Sequence, residues 1–230
     1  MPETNQHIFV IIPVYNEKQV IRRVLKQVVD AGYDVVLIDD GSTENIREEL
    51  KELNKVHYLR HKINLGQGAA LQTGIDFALK KNAAFFVTFD ADGQHQVDDI
   101  SKLLVPLQEG KADIVLASRF LENSHHNANR SRVWLLKLAR MVNYFFTGIY
   151  LSDAHNGLRA MNRTAASSIR ITENRMAHAT QIIAQIKKHQ LRFVEMPATV
   201  VYTDYSRGKG QSGLYSLRIF FDLVLQKLFK

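Results

Sequence analysis

Two aspartates separated by one residue, Asp90 and Asp92, follow an apolar run that ends at Phe89. Such a run predicts a buried strand, so both carboxylates would sit on a turn at its end. Two carboxylates on one turn can converge on a hard cation such as Mg²⁺ or Mn²⁺, which would neutralise charge on a diphosphate leaving group. An acidic turn that caps a helix starting near Val97 is the alternative, and the buried strand before the pair favours the metal site.

The strands and helices that must position this turn alternate along the first half of the chain. Continuous apolar runs predict strands over residues 8–12, 35–38, 56–59, 84–89 and 114–117, and helical spacing predicts helices over residues 17–31, 44–53, 66–81 and 97–109. This alternation predicts a parallel sheet with right-handed crossovers and helices on both faces. Ligands of such sheets bind beyond the carboxyl ends of the strands, which places interest on residues 13–17, 39–42, 90–92 and 118–119.

The second half of the chain follows a different pattern. It predicts loops over residues 122–129, 153–159 and 203–213, helices over residues 131–151, 177–190 and 214–230, and a strand over residues 192–202. The length of 230 residues fits one large domain with a small appendage. We therefore divide the chain into a domain of residues 1–213 and a C-terminal amphipathic helix of residues 214–230.

The composition limits the kinds of site and partner. There is no cysteine, which rules out disulfides, thiolate zinc sites and a cysteine nucleophile. The net charge of +7 predicts an anionic partner such as a phosphorylated substrate, a membrane surface or nucleic acid, and a solvated basic surface is the simpler explanation. The polar start and the lack of an apolar run of about 18 residues predict neither a signal peptide nor a transmembrane helix, so we expect a cytoplasmic protein.

Five motifs stand in order along the chain, at residues 13–17, 39–42, 64–70, 90–95 and 118–119. Together they resemble the family-2 glycosyltransferases, and within that family the dolichyl- and polyprenyl-phosphate sugar transferases, over residues 8–213. The resemblance implies the GT-A fold, a Rossmann-like, mostly parallel α/β sheet flanked by helices. It also implies a nucleotide-sugar donor, a Mg²⁺ or Mn²⁺ cofactor and a lipid-phosphate acceptor.

The resemblance gives individual residues roles on the donor side. Those that would contact the nucleotide or donor are Pro13, Tyr15, Glu17, Asp39, Asp40, Gln67, Asp90, Ala91 and Asp92, and those that would hold the metal are Asp90, Asp92 and Gln94. A helix cap before Glu44 is the alternative for Asp39 and Asp40. The glycines of residues 64–70 suit either an anion on backbone N–H groups or close helix packing, and many relatives carry lysine in place of Gln67.

On the acceptor side the resemblance covers residues 153–159, where many members have Asp-x-x-x-Gly-Phe-Arg. It implies that Asp153 orients the acceptor or the donor sugar, and that Arg119 and Arg159 contact sugar or phosphate. The expected catalytic groups are then Asp90, Asp92, Asp153 and Arg119. An ion pair between Asp153 and Arg159 that locks the loop is the alternative.

Residues 202–212 resemble the closing loop of the family, Arg-x-x-Gly-x-Ser-Lys. The match implies phosphate contacts from Arg207, Lys209 and Ser212. The family's lysine falls on Gly213, so Lys209 would supply that charge. An ordinary basic surface loop is the alternative.

The start of the late helix predicts the kind of acceptor. Many hydroxyl-directed members carry an acidic general base there, but residues 175–180 contain no acid. A phosphate acceptor is already an anion at neutral pH and needs no base. The missing acid therefore favours a lipid phosphate over a sugar hydroxyl, with His178 as a minor candidate for a base.

Two helices mix apolar and basic residues in a way that suits a membrane interface. Residues 214–230 are too apolar for a simple surface helix and too charged to span a bilayer, and residues 131–151 combine Trp134 and Phe145 with basic residues. We therefore predict a peripheral protein at the inner face of the membrane, with a small membrane-protein partner as a further hypothesis. Packing on the core, or a dimer interface that would make a homo-oligomer, is the alternative for each helix.

The sequence thus predicts metal-dependent, inverting transfer of a hexosyl or N-acetylhexosaminyl group from a UDP- or GDP-sugar to a polyprenyl phosphate, for cell-surface glycan synthesis. Transfer to a sugar hydroxyl of a growing polysaccharide is the enzyme alternative. A nucleotide-sugar or nucleic-acid binding protein is the alternative without catalysis. Asp90 and Asp92 argue against nucleic acid, because carboxylates without a metal repel a polyanion.

Overall fold

The computed structural model describes residues 7–174 and 177–202. Within them the strands are β1 (Ile8–Val14), β2 (Asp34–Asp39), β3 (Val56–Arg60), β4 (Phe85–Thr88), β5 (Ile114–Ser118), β6 (His125–His126), β7 (Arg159–Asn162), β8 (Phe193–Pro197) and β9 (Thr199–Val200). The helices are α1 (Lys18–Asp30), a 3₁₀ helix (Ile46–Leu50), α2 (Gln67–Lys80), α3 (Asp98–Gln108), α4 (Arg130–Thr147), α5 (Arg163–Ser168) and α6 (His178–Lys188). The proposed appendage of residues 214–230 lies outside the described residues.

The main sheet has seven strands in the order β3-β2-β1-β4-β7-β5-β8. Its neighbours are parallel except β7, which lies antiparallel between β4 and β5. The predicted mostly parallel α/β sheet is confirmed, but the predicted loop over residues 153–159 leads directly into β7. Four residues, of which the first and last are polar, carry no apolar-run signal, so the pairing partners rather than the local sequence make this segment a strand.

Alternate residues of β1 enter two separate cores. Val10 and Ile12 face the core beneath α1 and α3, whereas Phe9 and Ile11 face the core beneath α2, α5 and α6. All four side chains are fully buried. A strand that is covered on both faces has a continuous run of apolar residues. This part of the sequence therefore lacks the alternation of apolar and polar residues that is typical of a strand with one exposed face.

Several predicted elements differ from the structure in type or length. The helix predicted over residues 44–53 is the short 3₁₀ helix, and the loop predicted over residues 122–129 contains β6, which pairs with β9. The strand predicted over residues 192–202 is divided into β8 and β9. The helix predicted over residues 131–151 ends at Thr147, because Gly148 adopts the left-handed conformation that closes a helix.

Asp113, just before β5, ties three strands together. Its carboxylate accepts hydrogen bonds from the Arg192 backbone N–H, Nε and Nη2 at 2.8–3.0 Å and from Asn162 Nδ2 at 2.9 Å. The Arg192 hydrogen bonds lower the pKa of Asp113 to about 2. These contacts join the ends of β5, β7 and β8, the part of the sheet that carries Arg119 and Arg159.

We expect Asp113→Ala to lower the free energy of unfolding by about 1–2 kcal/mol, because it removes several hydrogen bonds from one partly buried carboxylate. The folded pKa lies below the unfolded value of about 3.9, so the contribution is complete above about pH 4 and is lost as the pH falls towards 2. Urea unfolding at pH 7 and pH 3 measures it. Asp30→Ala, which removes an exposed pair with Lys26, is the control, and an equal loss from both variants would contradict the assignment.

Candidate functional site

Asp90 lies at the carboxyl end of β4, where another motif and His95 of its own motif contact it. Its Oδ1 accepts a hydrogen bond from Gln67 Nε2 at 2.9 Å, and His95 Nε2 lies 3.1 Å from its Oδ2. Gln67 is the first residue of α2, so the motif at residues 64–70 delivers its side chain to the predicted metal ligand. The structure therefore brings together two motifs that are more than twenty residues apart in sequence.

Asp90 remains ionised in this setting. Burial would raise the pKa of its carboxyl, but the hydrogen bond from His95 and the electrostatic influence of His95, Arg159 and His178 hold that pKa below its usual value. The influence of His178 also shows that the first residue of α6 lies near this carboxylate.

Asp92 stands in a different electrostatic setting. Its Oδ1 accepts from the Gln94 backbone N–H at 3.0 Å and its Oδ2 from Gln94 Nε2 at 2.6 Å. Burial and the negative charge of Asp90 raise the pKa of Asp92 to about 6. Two carboxylates that repel each other in a partly buried turn form a strained anionic pair that a divalent cation would relieve.

The ligand set around this turn is small. Gln94 donates its amide nitrogen to Asp92, which leaves its Oε1 as an acceptor on the same turn. Across the residues that the structure describes, no group of three or more His, Cys, Asp or Glu side chains gathers as a metal cage. Two carboxylates and one amide oxygen fit a hard cation that takes its remaining ligands from water and phosphate oxygens.

The segment over residues 153–159 packs directly on Asp90. The Thr88 hydroxyl donates to the Gly157 carbonyl at 2.6 Å, and Asn156 Oδ1 accepts from the Leu158 N–H at 3.0 Å. A Cβ added at Gly157 would overlap the Asp90 carboxylate. Glycine is therefore required here by close approach, and the acceptor-side motif forms one wall of the aspartate site.

Asp153 and Arg119 form a buried ion pair. Asp153 Oδ2 accepts from Arg119 Nε at 2.5 Å and from the Arg119 backbone N–H at 3.2 Å, and the two residues are 4% and 7% exposed. Arg119 also donates to the Tyr202 hydroxyl and, at 3.4 Å, to the His155 carbonyl. The alternative expected for Asp153, an ion pair with Arg159, is wrong, because Arg119 holds that place.

Arg159 is buried without a complete set of hydrogen bonds. It is 3% exposed, and its Nη1 has no hydrogen-bond partner among the described residues. Burial lowers the pKa of this guanidinium, while the charges of Asp90 and Asp153 raise it. A buried guanidinium with an unused N–H beside the aspartate site is suited to an anionic oxygen.

The residues predicted for the nucleoside lie at the ends of β1 and β2. The Asn16 backbone N–H donates to Ser42 Oγ, and Asn16 Oδ1 accepts from the Thr43 N–H, so the turns after these strands are tied together. Pro13 belongs to β1, next to Ile38 of β2. Tyr15 is 45% exposed, which leaves its ring face accessible at the edge of the site.

Both carboxylates predicted for the nucleoside are buried and hydrogen-bonded within the protein. Asp39 accepts from the Ser42 N–H at 2.8 Å and from the Tyr58 hydroxyl at 2.7 Å. Asp40 accepts from the N–H groups of Leu65 and Gly66, at the start of α2. The alternative of a cap before Glu44 is not observed for Asp40, since its carboxylate serves α2.

Sequence reasoning gave no role to three residues of this framework. His95 belongs to the motif of residues 90–95, but nothing in the local sequence predicts its bond to Asp90. The sequence places Glu195 in a predicted strand, and Tyr202 at the end of that strand and the start of the closing loop, without a role for either side chain. Glu195 accepts from the N–H and hydroxyl of Ser152, next to Asp153. The predicted phosphate ligands Arg207, Lys209 and Ser212 lie outside the described residues.

The chain matches the family model for Glycosyl transferase family 2 over residues 9–170. It is 32% identical over 245 residues to the UDP-N-acetylglucosamine--dolichyl-phosphate N-acetylglucosaminyltransferase of Methanococcus voltae, with 97% of each chain covered. It is 30% identical over 172 residues to the polyprenol monophosphomannose synthase of Mycolicibacterium smegmatis, covering 71% of this chain and 64% of that protein.

Solved structures show the same architecture. The glucosyl-3-phosphoglycerate synthase from Mycobacterium tuberculosis, in complex with UDP, aligns with a TM-score of 0.65 and 16% identity, covering 85% of this chain and 71% of the other. S. aureus TarS in complex with UDP aligns with a TM-score of 0.58 and 14% identity, covering 84% and 60%. The chain belongs to glycosyl transferase family 2 and is a glycosyltransferase of the GT-A fold that resembles the dolichyl- and polyprenyl-phosphate sugar transferases.

Proposed function

We propose that this glycosyltransferase moves a sugar from a nucleoside diphosphate sugar to a polyprenyl phosphate in one inverting displacement. The observation that carries the proposal is the pairing of an acidic turn, Asp90 and Asp92, with buried arginines, Arg119 and Arg159, at one edge of the sheet. Acids suit a cation that meets a diphosphate, and arginines suit a second phosphate. Two relatives named for dolichyl phosphate and polyprenol support this acceptor class.

Asp90, Asp92 and Gln94 would hold Mg²⁺ or Mn²⁺. When bound, such an ion stabilises the negative charge of a departing nucleoside diphosphate. Gln67 and His95 fix the two oxygens of Asp90 in place, so the carboxylate is oriented before any ligand arrives. The raised pKa of Asp92 supports the assignment, since a buried carboxylate that resists ionisation gains most from a neighbouring cation.

On the donor side, Pro13, Tyr15 and Glu17 would line the base and ribose pocket, with Asp39 and Asp40 behind it and Ala91 under the diphosphate. The exposed ring of Tyr15 offers a surface on which a base can stack. Structural neighbours solved with UDP support a uridine nucleotide. The transferred group would be a hexosyl or N-acetylhexosaminyl group.

On the acceptor side, an open depression of about 350 Å³ begins at Arg119. Its other lining residues are Phe120, Leu121, Ser124, His125 and His126. Arg119 and Arg159 would hold the acceptor phosphate, together with Arg207, Lys209 and Ser212 from the closing loop. Helix α6 contains no acid, in keeping with an acceptor that is already an anion and needs no general base.

Gly157→Ala is expected to weaken Mn²⁺ binding by about 10- to 100-fold, because the added methyl group displaces the Asp90 carboxylate. Electron paramagnetic resonance of free Mn²⁺ during titration measures the affinity. Gly110→Ala is the control, since its added Cβ meets no atom within 4 Å and tests only the cost of losing a glycine. Wild-type affinity in Gly157→Ala would place the metal elsewhere.

Helix α4 supports a membrane surface as a partner. It exposes Trp134, Met141, Tyr144 and Phe145 by 50–78% of their surface, and Arg140 stacks on Tyr150 beside them. None of the helices within residues 7–174 and 177–202 is apolar and long enough to cross a bilayer. An aromatic and basic helix face of this kind suits peripheral contact with anionic lipid.

We expect Trp134→Ser combined with Phe145→Ser to weaken partitioning onto vesicles that contain anionic lipid by at least about tenfold. Each apolar side chain contributes about 1.5–3 kcal/mol when fully buried, and even partial burial of both exceeds the about 1.4 kcal/mol of a tenfold change. Val105→Ser, which removes an exposed apolar side chain from α3, is the control. Equal flotation of the double variant and the wild-type protein would exclude α4 as the membrane-facing surface.

A donor and acceptor screen tests the proposed reaction as a whole. Purified protein is incubated with Mn²⁺, radiolabelled UDP- or GDP-sugars and a short polyprenyl phosphate, and the product is extracted into organic solvent. The proposal expects a mild-acid-labile lipid-linked sugar. Transfer only to a sugar hydroxyl would support the polysaccharide alternative, and nucleotide binding without transfer to any acceptor would support a binding protein.

A further inference from the structure

We propose that His61 is a positioning residue for the diphosphate site. Its ring follows β3 and is 13% exposed. Nδ1 lies 2.7 Å from Asp40 Oδ1, and Nε2 lies 3.0 Å from Thr73 Oγ1 of α2. An ionised carboxylate can only accept, so Nδ1 donates to Asp40. The proposal rests on the proposed function, since the site that His61 positions is the one that would bind the metal and diphosphate.

Asp40 connects His61 to the N-cap of α2. Its two oxygens accept from the N–H groups of Leu65 at 3.0 Å and Gly66 at 2.7 Å. N–H groups at the start of a helix need partners from outside it, and Gly66, the N-cap, has no side chain to supply one. From the end of β2 the Asp40 carboxylate accepts the N–H of this N-cap and that of the residue before it, and His61 lies against that carboxylate. Inside the first turn, the Gly68 N–H donates to the Asn174 carbonyl.

The loop between His61 and Gly66 has little freedom to adopt another path. A Cβ added at Gly41 would overlap the backbone of Ile63 and Asn64, so this loop lies directly against the turn after β2. The His61 N–H donates to the Asp39 carbonyl at 2.9 Å. The loop is therefore fixed by backbone contact at one point and by the Asp40 carboxylate at the next.

The position of the start of α2 affects Asp90 through Gln67. This residue follows Gly66 directly and donates a hydrogen bond to Asp90 Oδ1. His61 contacts α2 at Thr73 and, through Asp40, at the N-terminal end of the helix. Two contacts at separate points add to the core packing of α2 and oppose both a shift along its axis and a rotation. A displacement of about 1 Å would take the Gln67 amide out of hydrogen-bond range of Asp90, so His61 sets the orientation of a carboxylate that it does not touch.

Mn²⁺ titration of the full chain, followed by electron paramagnetic resonance, tests the proposal. His61→Ala is expected to weaken Mn²⁺ affinity about tenfold, as for other residues that orient metal ligands. His61→Asn should recover most of it, since its amide nitrogen can replace Nδ1 as the donor to Asp40. His57→Ala is the matched control, a histidine of β3 that packs on Phe9 and Phe77 instead.

A double-mutant cycle with Gln67→Ala separates positioning from a general loss of stability. If His61 acts through Gln67, the combined variant binds Mn²⁺ no more weakly than the weaker single variant. Hydrogen exchange at Leu65 and Gly66 should also accelerate in His61→Ala, while the control leaves it unchanged. Thr73→Val removes the Nε2 contact together with the bond from the Thr73 hydroxyl to the Ala69 carbonyl within α2. It should show a smaller loss that vanishes without Gln67, and it serves if His61→Ala does not fold.

Additive losses in the cycle, or unchanged Mn²⁺ affinity in His61→Ala and Thr73→Val alike, would overturn the role of His61. Failure of the proposed function looks different. If the wild-type protein binds neither Mn²⁺ nor UDP, the proposed function and this proposal are both overturned. If the wild-type protein binds both and the His61→Ala variant binds them equally well, only the positioning role is overturned.

Discussion

Asp92→Ala is expected to lower the rate of sugar transfer about a thousandfold, equivalent to about 4 kcal/mol of transition-state stabilisation. Asp92 supplies one of the two carboxylates on the turn after β4, and its removal leaves Asp90 and Gln94 to hold a cation alone. Initial rates at saturating Mn²⁺ and donor measure the loss. Asp98→Ala, which removes an exposed acidic residue from the first turn of α3, should transfer at the wild-type rate.

The stability of the metal-free protein distinguishes this site from an acidic turn that only caps a helix. The pKa of Asp92 is raised to about 6, so ionising this carboxyl is less favourable in the folded than in the unfolded chain and its charge at pH 7 opposes folding. Asp92→Asn removes that charge, so metal-free Asp92→Asn should unfold at the same temperature as the wild-type protein or higher. A clear loss of stability together with retained transfer would show that Asp92 is structural.

The sequence predicts the parts of this fold that are buried on both faces. Strand β1 and its parallel neighbours are recognisable in the sequence as continuous apolar runs, and the acidic residues that follow them lie at the predicted edge of the sheet. Strand β7 gives no such signal, because four residues with polar ends become a strand only between β4 and β5. Local pattern therefore predicted the frame, but not the antiparallel strand that delivers Arg159.

The candidate site shows the same limit at the level of side chains. Asp90, Arg119 and Asp153 could be selected from motifs, but their partners could not. Asp153 pairs with Arg119, thirty-four residues away, instead of the nearby Arg159. Asp40 accepts from backbone N–H groups at the start of α2, and its other partner is His61, a histidine that no motif contains. Long-range hydrogen bonds depend on how strands are ordered in the sheet, and no spacing within one segment records that order.

Removing one partner of the Arg119–Asp153 pair is expected to lower the free energy of unfolding by about 3–5 kcal/mol, because the remaining charge is buried without compensation. Within residues 7–174 and 177–202, Asp153→Ala leaves the Arg119 guanidinium with only the Tyr202 hydroxyl and a carbonyl as acceptors. Chemical denaturation measures the loss. Glu109→Ala breaks an exposed pair with Lys111 and should change stability by less than about 1 kcal/mol.

The double variant Arg119→Met with Asp153→Leu separates the structural role of the pair from its chemistry. With neither charge left in the interior, much of the lost stability should return, since apolar side chains of similar volume often replace buried ion pairs without cost. The rate of sugar transfer should stay at least about a hundredfold below that of the wild-type protein. The double variant lacks the Arg119 N–H groups that are left over from the bonds to Asp153, Tyr202 and His155 and would bind the phosphate. Transfer at the wild-type rate by the folded double variant would show that Arg119 is only a structural residue. A double variant as unstable as the single variants would show that an unpaired charge does not cause the loss of stability in the single variants.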